Sequence, residues 1–237
     1  MLSSSCGRVL PICSTPSFVG GSVVGFLGTN SETVVSLTSL TGGLASAPAE
    51  DDIVIVFYAT GVQGGVDLDM YATGYTEVMD NYNSAGSGAL NYGIWWKKMT
   101  ATPDTSVTVS KTASTAVAGV VVVHVWRGQD LTSPFCATPL STDHTGISDD
   151  PDPPLIYSPY RGAVILCCGA TYIAGGNHYT ASYLSNFFED YKLDGSGVTA
   201  GMGSVVASGG NYNPAAWSQS GYNVFYPSSA TLVLKGA

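Results

Sequence analysis

The sequence predicts an all-β protein, an antiparallel β-sandwich or jelly roll. Apolar residues recur with period 2 almost throughout, helical spacing with good helix formers is nearly absent, and turn signals return about every ten residues. Those turns are Gly42-Gly43, Gly64-Gly65, Ser87-Gly88, Asp194-Gly195 and Gly209-Gly210. Many short strands at such spacing are the pattern of sandwiches and jelly rolls.

Residues 1–17 read as an arm that attaches to a partner or another subunit, ordering there, because this Ser/Pro-rich stretch carries little core pattern. It does not read as a secretory signal: the apolar run Val9 to Cys13 is short and holds Pro11. A lipoprotein-type site fails too, since Ile12 precedes Cys13 where a small residue is needed.

Residues 18–237 form the sandwich domain. Asp52 to Tyr58 is a continuous β-branched and aromatic run, the pattern of a strand covered on both faces. Ser106 to Ser110 alternates polar and valine. Val117 to Trp126 is the most strand-like segment, with Val121, Val123 and Val125 on one face and Val122, His124 and Trp126 on the other. Ser141 to Pro159, with Asp149, Asp150, Asp152 and four prolines, reads as a long extended connection, because proline cannot donate to a sheet ladder. Later strands are Ala163 to Ala170, Thr199 to Ser208 and Thr231 to Lys235; a short helix is allowed only around Tyr183 to Asp190.

The connection separates halves of about 18–140 and 160–237, and the halves echo one another. Asp52 to Phe57 parallels Gly162 to Cys167, and Tyr75 to Asp80 parallels Asn186 to Asp190. The weightier reading is that sandwich strands look alike as a class; the other is that the halves contribute similar strand sets.

Composition narrows function by exclusion. Eight Lys+Arg against 17 Asp+Glu give a net charge of −9, too few cations for the basic stripe that displaces phosphate counterions, so no nucleic acid is expected as a partner. Hydrophobic residues reach 45%, too many for a disordered chain, yet no 18-residue apolar run exists, so no membrane partner is expected either. With only 11% charged residues, the surface is largely neutral.

Chemistry-bearing motifs are sparse. His124 alternates with valines and reads as a satisfied core histidine; His144 and His178 fall in loop-like stretches. No His/Cys spacing suggests zinc, no Gly-x-Ser-x-Gly elbow or phosphate-binding glycine fingerprint occurs, and no cofactor is expected. Asp67, Asp69 and Glu77 are the clustered carboxylates near aromatics that a hydrolase would use, but solvated loop acids are the better reading. Of the five cysteines, Cys167 and Cys168 read as small buried residues on opposite strand faces. Cys6 and Cys13 in the arm read as free thiols, with cross-linking of a neighbouring subunit as the alternative.

Aromatics are the more informative set. Tyr71, Tyr75, Tyr82, Tyr92, Trp95 and Trp96 cluster in one stretch and Tyr212, Trp217, Tyr222 and Tyr226 in another. Such residues suit subunit interfaces or core, and less readily a glycan-binding platform. A platform requires Trp95, Trp96 or Trp217 to be exposed.

The ordered string resembles a group of β-rich virion-associated proteins of tailed bacteriophages and prophages. The residues that carry the likeness begin with Glu50-Asp51-Asp52-Ile53-Val54-Ile55, Gly74-Tyr75-Thr76 and Trp96-Lys97-Lys98-Met99, then Ser106 to Val109 leading into Val125-Trp126-Arg127-Gly128. Pro153-Pro154, Arg161 to Val164, Ser185 to Phe187, Gly201 to Ser204 and Asn213 to Ala216 complete it. It covers roughly residues 45–237, and its motifs are structural rather than catalytic. The resemblance implies a non-enzymatic head-decoration, collar or tail-fibre component located in the virion and made in the bacterial host cytoplasm. Its partners would be other virion proteins and copies of itself, as a trimer, and a host-surface glycan under the alternative reading. It transfers no active-site residue.

Overall fold

A computed structural model describes residues 9–27, 32–84, 88–112, 116–144, 150–173, 178–194, 196–220 and 224–237. They are all-β, and among them no helix is long and apolar enough to cross a membrane. Eight strands come first: β1 (Ser17–Leu27), β2 (Glu32–Ser36), β3 (Ile53–Gln63), β4 (Met70–Ala72), β5 (Thr76–Ser84), β6 (Gly88–Lys98), β7 (Ser106–Lys111) and β8 (Ala116–Arg127). After them come β9 (Leu140–Asp143), β10 (Ile156–Ser158), β11 (Val164–Ile173), β12 (His178–Thr180) and β13 (Ser185–Asp194). The last four are β14 (Ser196–Val206), β15 (Gly210–Tyr212), β16 (Ser218–Ser220) and β17 (Val224–Leu234).

These strands stack in four layers. Two five-stranded antiparallel sheets, β1-β8-β3-β6-β5 and β13-β14-β11-β17-β9, face one another in the middle. Outside the first lies the three-stranded sheet β2-β7-β4; outside the second lie the ribbons β10-β15 and β12-β16. Both central sheets are therefore covered on both faces, and their sequences show it. In β3, Ile53, Ile55 and Phe57 enter the central core while Val54, Val56 and Tyr58 pack under the outer sheet. In β11, Leu166 and Cys168 enter the central core and Ile165 and Cys167 face the ribbons. A fully buried side chain of this size is worth roughly 1.5–3 kcal/mol, which makes three stacked cores the main stabilising term.

The two halves have the same strand order. Replacing β1, β3, β5, β6 and β8 by β9, β11, β13, β14 and β17 converts one central sheet into the other. The registers agree: Ile53 pairs with Trp126 and Lys98, and Val164 pairs with Leu234 and Val206. Even a bulge repeats, with one extra residue between Glu77 and Met79 opposite β6 and one between Ser185 and Phe188 opposite β14. Outside, β2-β7-β4 matches β10 and β12, with β7 divided into β15 and β16. The echoing segments read from sequence fall on equivalent strands, β3 with β11 and β5 with β13.

Three expectations change. The stretch read as a connection carries β9 and β10, so it belongs to the second half, which begins just after β8. Pro153 and Pro154 still shape it as extended chain, but Leu140–Asp143 pairs with β17, and Ile156–Ser158 with β15. The region allowed a helix, Tyr183 to Asp190, is a turn followed by β13, because pairing with β14 outweighs weak local preference. Residues 9–16 already take up a fixed path without a partner, as a strap along the chain's own second half. Arg161 N–H donates to Pro11 O and Cys13 N–H to Arg161 O, while Ser14 N–H donates to Ala237 O.

Aromatic rings close the seam between halves. Phe18 of β1 meets Phe188 of β13 at 5.9 Å, and Trp96 of β6 meets Phe135 edge-on at 5.8 Å. Phe135 bridges to Leu234 as Phe18 pairs with Trp126, so the two phenylalanines hold equivalent positions. At the rim Tyr92 donates to Asp143 at 2.6 Å and Asn83 to Ser228 at 2.9 Å.

Candidate functional site

The aromatic residues singled out by sequence separate into buried and half-buried groups. Trp95 is 2% exposed, under the outer sheet beside Tyr58. Trp217 is fully buried beneath the ribbons, against Tyr179 and Phe187, and its Nε1 donates to Tyr183 at 2.9 Å. Neither presents an interface, which corrects the expectation for both. Adjacent Trp95 and Trp96 do leave opposite faces of β6, but each face is covered, so Trp96 goes to the edge of the central core.

Tyr75 is half-buried beside the Lys97–Asp104 ion pair (2.7 Å), with Lys97 Nζ 5.5 Å over its ring. Burial, and then the charge of Asp104, push its phenol up. Tyr82 donates to Gly65 O and so holds the loop between β3 and β4. Tyr212 is half-buried against the second outer core. These tyrosines fasten the fold. Tyr222 and Cys6 lie outside the described residues. Cys13 is a half-buried free thiol whose Sγ donates to Arg161 O at 3.6 Å.

The carboxylates named from sequence gather around Asp80. Asp67, Asp69 and Glu77 are exposed, and the perturbed group is their neighbour Asp80. Burial, then the charges of Glu77, Asp67 and Asp69, raise Asp80 to about 6, while its bond from Met70 N–H (3.1 Å) opposes the rise. Among the described residues no group of three His, Cys, Asp or Glu side chains is placed to hold a metal ion.

Two further ionisable groups are buried. His124 is enclosed by Phe18, Trp126 and Phe188, with ring centroids 5.0, 6.2 and 5.6 Å away. Neither ring nitrogen has a partner at hydrogen-bonding geometry, so the core position was legible in the sequence and the expected satisfaction is not met. Burial lowers it to about 3, offset in small part by the Met202 backbone. Lys111 ends β7 with Nζ 5.2 Å over the Phe26 ring, and burial lowers it to about 8.

Clefts lie at the two equivalent strand ends. One of about 390 Å³ is lined by Glu50, Asp51, Arg127, Gln129, Asp130 and Leu131. Here the enclosed Asp52 carboxylate accepts two bonds from Arg127, at 2.7 and 2.8 Å, and one from Ala49 N–H at 2.7 Å. The other, about 520 Å³, is lined by Cys136, Pro159, Tyr160 and Lys235, where Lys235 follows Leu234 of β17 as Arg127 follows Trp126 at the end of β8. Both cations are committed to carboxylates, Lys235 to Asp130 at 2.6 Å.

What faces solvent is flatter. The outer sheet of the first half presents Val34 (61% exposed) and Tyr71 among Ser36, Ser106, Thr108 and Ser110. The second half presents Leu155 and Tyr157 beside Asn211. Sequence reasoning grouped Tyr71 with the aromatic cluster but missed Val34, Leu155 and Tyr157, because an isolated apolar residue in or beside a short strand does not stand out from an inward-facing one. No family model, curated protein or solved structure matches the chain.

Proposed function

We propose that the chain is a non-enzymatic structural component of a tailed-phage virion, a decoration, collar or tail-fibre protein acting through contacts with copies of itself and with the particle. One observation supports this most. Trp95 and Trp217 are enclosed in the stacked layers, and the outer faces left to solvent show mainly uncharged side chains: Val34, Ser36, Tyr71 and Ser106 beside Glu32 in the first half, and Leu155, Tyr157 and Asn211 in the second. Such faces suit close approach between identical chains that each carry −9. We read each half as a jelly roll: β1 pairs with β8, β2 with β7 and β3 with β6 as a nested hairpin, and β5 has moved to the inner sheet. A symmetric homo-oligomer, a trimer by our reading, carried in the virion and made in the host cytoplasm, completes the proposal.

A host-surface glycan-binding module is the second reading, favoured by exposed Tyr71 and Tyr157, whose rings suit stacking on sugars. To separate the two, purified protein is mixed with particles made without it and sedimented, and is also applied to a glycan array. The structural reading expects co-sedimentation at a fixed copy ratio and no glycan signal. Array binding abolished by Tyr71→Ala or Tyr157→Ala supports the second reading, and turnover of a glycan or peptide refutes both.

A further inference from the structure

At the seam, one half carries a ring where its equivalent carries a hydroxyl. Trp96 of β6 pairs with Thr76 and packs edge-on against Phe135 at 5.8 Å. The equivalent residue of β14 is Ser204, which pairs with Ser185 as Trp96 pairs with Thr76. It lies two residues before Val206, as Trp96 lies two before Lys98. Phe18 stands in the place of Phe135, and Trp126 in the place of Leu234 takes up part of the room. A cleft of about 140 Å³ remains, lined by Phe18, Trp126, Val164, Ser185, Asn186 and Ser204, with exposed Val206 at its side. One wall is polar. Asn186 Nδ2 donates to Ser204 Oγ at 3.0 Å, and that hydroxyl donates to Ser185 O at 3.2 Å, which leaves Oγ a second lone pair. Trp126 is 2% exposed, and among the described residues its indole N–H has no hydrogen-bond partner, although a buried indole ordinarily finds one.

We propose that this cleft binds a single neutral phenol ring, seated as the first half seats the indole of Trp96. The size fits, since an apolar cavity of about 150 Å³ takes up benzene. Phe18 and Trp126 give the cleft aromatic walls, which favour a flat ring in edge-on or offset contact. The hydroxyl selects phenol over benzene: its hydrogen suits the open lone pair of Ser204 Oγ, and its oxygen brings an acceptor to a wall whose indole N–H lacks one. No charged side chain lines the cleft, so a ring bearing a carboxylate or an ammonium would lose its hydration without gaining a counter-ion. The ring arrives as a free phenol or as the tyrosine side chain of another chain; the chemistry is the same. The site goes beyond the virion reading and does not depend on it.

The test titrates the full chain with 4-fluorophenol at neutral pH, following the fluorine signal of the ligand and the indole N–H resonances of the protein, with Trp126 assigned from Trp126→Phe. The expected result is saturable binding of millimolar affinity or tighter that shifts the Trp126 resonance and leaves that of Trp217, enclosed in another core, in place. Fluorobenzene should bind about threefold more weakly or worse, and 4-fluorobenzoate about tenfold or worse. Ser204→Trp gives β14 the ring that β6 already has and should abolish binding, while the milder Ser204→Leu should weaken it about tenfold or more. If neither variant melts cooperatively, the Trp126 shift in the unaltered chain decides the matter. Competition by N-acetyltyrosinamide assigns the site to a tyrosine side chain, and failure to compete assigns it to free phenols; both support a phenol site. Absence of saturable binding, fluorobenzene bound as tightly as 4-fluorophenol, a shift at Trp217 instead of Trp126, or full binding by folded Ser204→Trp overturns the proposal.

Discussion

His124 should contribute to the acid response of this protein, because its enclosure by aromatic rings disfavours the charged imidazolium. In the folded chain it is held at about 3 against 6.5 for the free group, so on acidification the unfolded chain takes up the proton first. Stability therefore falls as pH drops from 6.5 toward 3. The steep part of that loss should disappear in His124→Met, whose melting midpoint between pH 3 and 7 should vary less than that of the parent. An equal slope in both proteins would mean that carboxylates alone govern acid unfolding. Asp80 acts in the opposite sense: raised to about 6, it keeps its proton longer when folded and costs stability as pH rises through that value.

Each outer core is filled by one tryptophan delivered from a different layer, and a glycine makes room for the second of them. A side-chain carbon on Gly169 of β11 would meet the Trp217 ring at 2.7 Å, so the ribbon ring lies directly over the strand backbone. Gly169→Ala should cost about 1–3 kcal/mol in urea unfolding. Combined with Trp217→Leu it should cost less than the sum of the two single changes; strict additivity would show that the ring can move aside. Glycines of this kind also explain what the sequence concealed. Runs such as Ile53 to Tyr58 and Val120 to Val123 announce strands covered on both faces, and the structure covers both. By contrast β1 and β6 pass unnoticed, because Gly20, Gly21 and Gly93 interrupt the apolar pattern where Leu40, Phe188 and Trp95 close over the backbone. The exposure of Tyr71 and the enclosure of Trp217 were likewise illegible, since local pattern says which residues alternate but not which face another sheet will cover.

At the scale of the molecule, two sandwiches of one strand order share their central core, and each half supplies one wall of it. Separated, residues 1–131 would expose Ile53, Ile55 and Phe57, and residues 132–237 would expose Leu166, Leu232 and Leu234. Each fragment made alone should aggregate or self-associate, whereas the two made together should form a one-to-one complex that melts in a single transition. Two independently soluble, cooperatively melting monomers would contradict a shared core. Under the proposed function, the outer sheets are the surfaces through which this four-layer block would meet its neighbours. The most direct measurement is imaging of purified tailed-phage particles from a host that encodes this chain, with the protein labelled by specific antibody. The account predicts label at a fixed, repeated position on every particle, in several copies. Fully assembled particles that carry none of it, with all the protein free in the lysate, would contradict it.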